Sequence, residues 1–255
     1  MVKTISGWPE SVQVPFTRVY ITLSEAYLHT PSAQLASLGI IGLNALVFLA
    51  WRVPRWGDKM SRYFMHWPVG PNHRVITLAT SVFSHQSLAH FAFNSIALYS
   101  FGSAAYTWLS RPNVKDIDAV SGSRSSSSSF FGFDHGPYLG TSTTTPHFLA
   151  FFLAAGLASS LTSHLNTVLF RLPRLLRDLS HSARVSTASA LAAHSAVLPS
   201  LGASGAIYAT LTLTSLAFPE ASVSLIFLPF VPIKIGYGVA GMLAVDTLGL
   251  IRGWR

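Results

Sequence analysis

The stretch Leu201-Gly202-Ala203-Ser204-Gly205-Ala206-Ile207-Tyr208-Ala209 sets one hydroxyl between glycines at the mouth of an uncharged run. No Asp, Glu, Lys or Arg occurs from Val185 to Pro219, which predicts that Ser204 lies at membrane depth. The stretch has two readings. Gly202, Ala203, Ser204 and Gly205 can form a small-residue face of the kind that lets membrane helices pack backbone to backbone. Alternatively, Ser204 is a reactive hydroxyl at the start of a helix, where unpaired N–H groups and the positive end of the dipole meet developing negative charge. The Gly-x-Ser-x-Gly elbow of α/β-hydrolases is not matched, because Ala206 stands where that turn needs glycine.

A second constellation lies upstream, His85-Gln86-Ser87-Leu88-Ala89-His90-Phe91-Ala92-Phe93-Asn94, inside a run from Val75 to Ser110 that also carries no formal charge. Imidazole and carboxamide groups are costly in lipid unless something uses them. On a helix, His90 and Asn94 stand four apart and share a face, whereas His85, five before His90, points well away. Two donors on one face suit an oxyanion. A zinc pair is the weaker alternative, because helical histidine ligands want a spacing of three or four and neither Cys nor an HExxH glutamate is nearby. Interhelical hydrogen bonding is the other.

Taken in order, His-x4-His-x3-Asn on one apolar helix and Gly-x-Ser-Gly-x-x-Tyr opening a later one resemble the rhomboid family of intramembrane serine proteases. The resemblance covers roughly Leu35 to the C-terminus and extends to Phe227-Leu228-Pro229 and Asp246-Thr247-Leu248-Gly249, which look like its mitochondrial, presenilin-associated branch. It implies an all-α, polytopic membrane helix bundle cleaving transmembrane protein substrates, in the mitochondrial inner membrane, with no cofactor and no metal. By position it makes Ser204 the nucleophile, preceded by Gly202 in the approach loop; His90 and Asn94 join the Ser204 amide in the oxyanion hole, and Tyr208 stacks on the catalytic imidazole. Rhomboids carry that general-base histidine on the last core helix, in a segment resembling Asp-His-x-x-His-Leu-Gly-Gly after a Gly-Trp-Arg/Lys turn. Here the chain stops at Gly253-Trp254-Arg255, so the base is expected beyond Arg255 and the 255-residue chain by itself is expected to be inactive. His194, ten residues before Ser204 across Pro199, is set aside because triad members need hydrogen-bond reach. The alternative is a non-catalytic rhomboid-like protein that binds transmembrane helices without cutting them.

Composition agrees with a membrane location. Of 255 residues, 50% are apolar and 10% charged, far below the ~25% charged residues of soluble domains. The net charge of +8 falls between apolar runs rather than in one patch, which favours lipid headgroups as its partner and argues against nucleic acid. Cysteine is absent. Residues 1–34 form an N-terminal extension in which Pro9, Pro15 and Pro31 are expected to break any long helix, leaving a short amphipathic helix from about Thr17 to His29. Residues 35–255 are expected to form a membrane domain, C-terminally incomplete, with spans at about 35–51, 80–108, 147–170, 202–218 and 235–250 and a sixth core span expected by the resemblance. Asn44 and His164 read as polar contacts between helices. Trp51, Trp56, Tyr63 and Trp67 are placed as interface anchors, residues 111–145 as a Ser-rich linker, and Val223 to Ile233 as an extended apolar stretch.

Loop charge alternates along the chain. Residues 52–74 carry Arg52, Arg55, Lys59, Arg62 and Arg74 against Asp58, net +4; residues 171–184 carry Arg171, Arg174, Arg177 and Arg184 against Asp178, net +3. Residues 111–145 and 219–234 are each neutral. The positive-inside tendency therefore puts the first and third loops in the cytoplasm or matrix, the matrix if the resemblance to the mitochondrial branch holds. Single cysteines replacing Asp58 and Asp178 should react with an impermeant maleimide from the matrix side, and one replacing Ser127 from the other. Labelling of positions 58 and 127 from the same side would overturn the span count or the orientation.

Overall fold

The computed structural model describes residues 7–69, 74–110, 144–181, 199–225 and 228–252. All of the Ser-rich linker before residue 144, together with His194 and the Gly253-Trp254-Arg255 terminus, lies outside the described residues.

Pro9 and Pro31 each stand immediately before a helix, where a fixed φ near −57° suits the first turn and the missing N–H removes no internal bond. They open α1 (Glu10–His29) and α2 (Ser32–Trp51). The helix in the extension therefore begins at Glu10 and contains Pro15, which deletes one link close to the helix start instead of ending it. No residue of α1 is buried. In α2 the buried positions Ala36, Ser37, Ile40, Asn44 and Val47 recur at helical spacing. Leu38, Leu43, Leu46 and Leu49 face outward and exposed, as a lipid-facing surface would.

After Arg52 the chain makes a 3-10 turn (Pro54–Trp56) and the short helix α3 (Gly57–Phe64), which buries Met60 and exposes Asp58, Lys59 and Arg62. Two single turns, Thr77–Thr80 and Ser81–Phe83, lead to α4 (Leu88–Leu109). That helix starts at Leu88 because the Ser87 hydroxyl caps it, accepting the His90 N–H at 3.0 Å. α5 (Thr144–Asn166) passes through a π turn, Thr167–Arg171, into α6 (Leu172–His181). α7 (Ser204–Ala217) follows, then a hairpin and α8 (Ile235–Arg252). In the hairpin β1 (Ser222–Leu225) runs antiparallel to β2 (Leu228–Lys234), with Ser222 opposite Lys234 and Val223 opposite Ile233. The extended stretch read from the sequence is thus a pair of strands, closed by a Glu220–Lys234 ion pair at 2.9 Å.

The fold is an all-α bundle, with this one hairpin as the sheet among the described residues. α7 is central, packed between α4 and α5, with α2 on the far side of α4. Leu98, Ala105, Phe148, Phe152, Ala203 and Ala206 are almost wholly buried where they meet. Among the described residues, Ser32–Trp51 and Thr145–Arg177 are helices long and apolar enough to cross a membrane, and Ile235–Gly249 is a shorter apolar one.

The α5–α7 contact depends on Gly205, where a Cβ would overlap the Ser159 side chain. Gly205→Ala should destabilise the bundle by about 1–3 kcal/mol, the usual cost of overpacking, in a detergent-unfolding titration. Combined with Ser159→Gly it should cost less than the sum of the two single changes. Strict additivity would show that the two helices do not meet at this pair.

Candidate active site

Ser204 is the first residue of α7 and is exposed, while Ala203, Ala206 and Ile207 around it are buried. No side chain caps this helix. The amides of its first turn, which have no intrahelical partner by geometry, are available to an anion beside the Ser204 hydroxyl. The chain reaches Ser204 through Gly202, whose φ of +122° is open to glycine and strained for any other residue. Gly202 is needed for space as well: a Cβ there would stand 2.6 Å from Cε1 and 2.9 Å from Nε2 of His90. The imidazole of His90 therefore lies directly against the backbone two residues before Ser204.

The segment before Ser204 is held by the chain between α2 and α4. Ser200 and His66 exchange both backbone hydrogen bonds, 2.9 and 3.0 Å. The Gly202 N–H donates to the Ser81 carbonyl at 2.8 Å. The Ala203 N–H points at Nε2 of His85, at 3.5 Å the outer edge of hydrogen-bond range. These links put the 52–87 connection and the approach to α7 at one end of the bundle. The end of α2 is tied to the same place by Trp51, whose Nε1–H donates to Ser84 Oγ at 2.8 Å.

His85 corrects the helical reading of its position. It precedes the Ser87 cap, so it is not on α4, and instead of pointing away it folds fully buried beneath Ala203, edge-on to the His90 ring with centroids 4.9 Å apart. Since Nε2 accepts from Ala203, the proton of a neutral His85 sits on Nδ1. Asn94 is buried one turn beyond His90 on α4, and its Nδ2 donates to the His90 carbonyl at 2.8 Å, leaving its second N–H for another acceptor. Tyr208 lies one turn after Ser204; its hydroxyl is buried beside the Asp246 carboxylate of α8, outside strict hydrogen-bond geometry with it. Spacing does not single out His66, Ser81 and Ser200, because each meets a partner across a long stretch of chain, nor Thr77, whose partner His66 precedes it in the same irregular connection. Among the described residues no group of three or more His, Asp or Glu is gathered as a metal site.

The chain matches the family model described as the Rhomboid domain over residues 72–144, a stretch that includes His85, His90 and Asn94. It is similar to the presenilin-associated rhomboid-like protein, mitochondrial, of Homo sapiens (29% identical) and of Mus musculus (30% identical), in each case over 224 residues, 87% of this chain and 43% of the relative. An alignment of that extent takes in both His90 and Ser204. A shorter match, 30% identical over 87 residues, joins 33% of the chain to 25% of the Saccharomyces cerevisiae rhomboid protein 1, mitochondrial. The chain thus spans less than half the length of the presenilin-associated relatives. No solved structure matches it significantly. On the ordered motifs, the helical bundle and these relatives together, the chain belongs to the rhomboid family and is similar to its presenilin-associated, mitochondrial branch.

Proposed function

We propose that the chain carries the nucleophile and oxyanion hole of a serine endopeptidase that cleaves transmembrane proteins within the mitochondrial inner membrane. The observation that carries this reading is the exposed Ser204 hydroxyl at an uncapped helix start, approached through a left-handed Gly202 clamped against His90. In this scheme Ser204 Oγ attacks the scissile carbonyl and gives its proton to the histidine that rhomboids carry after their Gly-Trp turn. The carbonyl oxygen, now anionic, takes hydrogen bonds from the Ser204 amide, the His90 imidazole and the second Asn94 N–H. Collapse breaks the C–N bond, the histidine protonates the departing amine, and water then releases the acyl group by the same route reversed. Tyr208 supplies the ring on which the histidine stacks. The five-span organisation and the contact of the basic loops with lipid headgroups belong to the same proposal.

One observation favours the alternative of a helix-binding protein that does not cut: an Asn94 N–H is already engaged by the His90 carbonyl. A fluorophosphonate probe separates the two. In protein extended in frame through a rhomboid histidine helix, Ser204 should be labelled, and Ser204→Ala should abolish both labelling and cleavage. Asn94→Ala and His90→Ala should each lower kcat by about 10²–10³, the usual loss for one oxyanion donor. Gly202→Ala should also lower kcat, because its Cβ displaces the His90 ring. Labelling that survives Ser204→Ala would sink the protease reading; capture of a transmembrane helix without labelling would establish the alternative.

A further inference from the structure

His66 meets the approach to Ser204 through its backbone and meets α5 through its side chain. The residue is fully buried. Its main chain exchanges both hydrogen bonds with Ser200, four residues before Ser204. Its ring bonds Thr77 Oγ1 through Nδ1 at 2.8 Å and His164 Nδ1 through Nε2 at 3.1 Å. Thr77, also fully buried, donates its single hydroxyl hydrogen to the Arg74 carbonyl at 2.5 Å. It can therefore only accept from His66, which fixes the His66 proton on Nδ1. A neutral His66 then accepts at Nε2, and the hydrogen between the two rings belongs to His164 Nδ1. The direction of the whole line follows: His164 to His66, His66 to Thr77, Thr77 to the Arg74 carbonyl. His164 stands on α5 three residues before the π turn Thr167–Arg171, where the helix widens.

We propose that His66 is a positioning residue for the site, a strut through which His164 of α5 sets the backbone from Ser200 to Gly202 and hence the place of Ser204. This rests on the reading of that segment as the nucleophile loop. A buried imidazole deprived of its partner at Nε2 shifts or recruits another, and because the His66 ring is fully enclosed and has little room to turn about its own side-chain bonds, the shift is passed to the two backbone bonds it shares with Ser200.

The test uses the full chain in detergent and does not depend on catalysis. Hydrogen exchange is followed at the Ser200 and Gly202 amides, and alkylation is followed at a single cysteine introduced as Ser204→Cys, there being no native cysteine. His164→Ala should speed exchange at both amides about tenfold and change the alkylation rate at least about threefold, the scale expected for one lost buried hydrogen bond. His164→Asn, whose amide nitrogen can stand where Nδ1 stood, should restore both readings to within about twofold, whereas His164→Gln, whose amide reaches the Nε2 position, should not. Parent rates in His164→Ala would overturn the strut. So would an Asn variant no better than Ala, and if the Ala variant loses protection throughout α7 the Asn and Gln variants decide the matter. Because neither reading requires cleavage, a strut that stands beside an inert Ser204 would fault the protease reading alone, and a failed strut would leave it intact.

Discussion

The contact between the His90 ring and the Cα of Gly202 is the constraint on which the rest of the site depends. Any side chain at position 202 would occupy the space of the imidazole, and the left-handed backbone there would be strained by any side chain. The approach of α4 to the start of α7 is therefore limited by one hydrogen atom. Everything nearby is arranged to hold that distance: Ser81 takes the Gly202 amide, His85 lies under the Ala203 amide, and Ser200 is paired to His66.

This arrangement explains why a polar loop is tolerated beside an apolar core. Irregular backbone in an apolar medium is stable only where its N–H and C=O groups find partners inside the protein. The segment 200–203 finds them in the chain between α2 and α4, which itself lacks long regular structure and has groups to offer. Two irregular stretches thus satisfy each other at one end of the bundle. At the other end, the Tyr106 hydroxyl meets Thr145 Oγ1 at 2.9 Å, and the short hairpin gives the connection between α7 and α8 its own ladder of bonds. Between these ends the bundle holds through small residues that bring α7 close to its neighbours, with larger apolar side chains left on the outside.

The helical bundle was readable because charge-free runs bounded by basic loops have few other solutions in lipid. The pairing of Ser204 with its glycines, and of His90 with Asn94, was readable from spacing within one element. Features that depend on two distant stretches were not. His85 looked helical until the Ser87 cap set the start of α4 beyond it. His66 sits in an aromatic-rich loop with no periodicity to mark it, and its ring partners lie 11 and 98 residues away. Pro15 was read by its local rule, which is weakest near a helix start, where few bonds are at stake. Val223 to Ile233 was legible as extended but not as a hairpin, since its prolines mask the alternation that marks paired strands.

The bond from Ala203 to His85 joins residues 118 positions apart, and that separation bears on how the protein is made. During synthesis the His66 backbone, the Ser81 carbonyl and the His85 ring are made long before their partners exist. Only when the start of α7 arrives can these groups be satisfied from within the chain. The contacts around Ser204 then form only after the segments on which they rest, so a chain that stops short of α7 holds His66 and His85 without these partners. Loop closure over such a length carries an entropic penalty that grows only slowly with chain length. The delay is set by translation, and assembly of these contacts reports completion of the bundle up to its central helix.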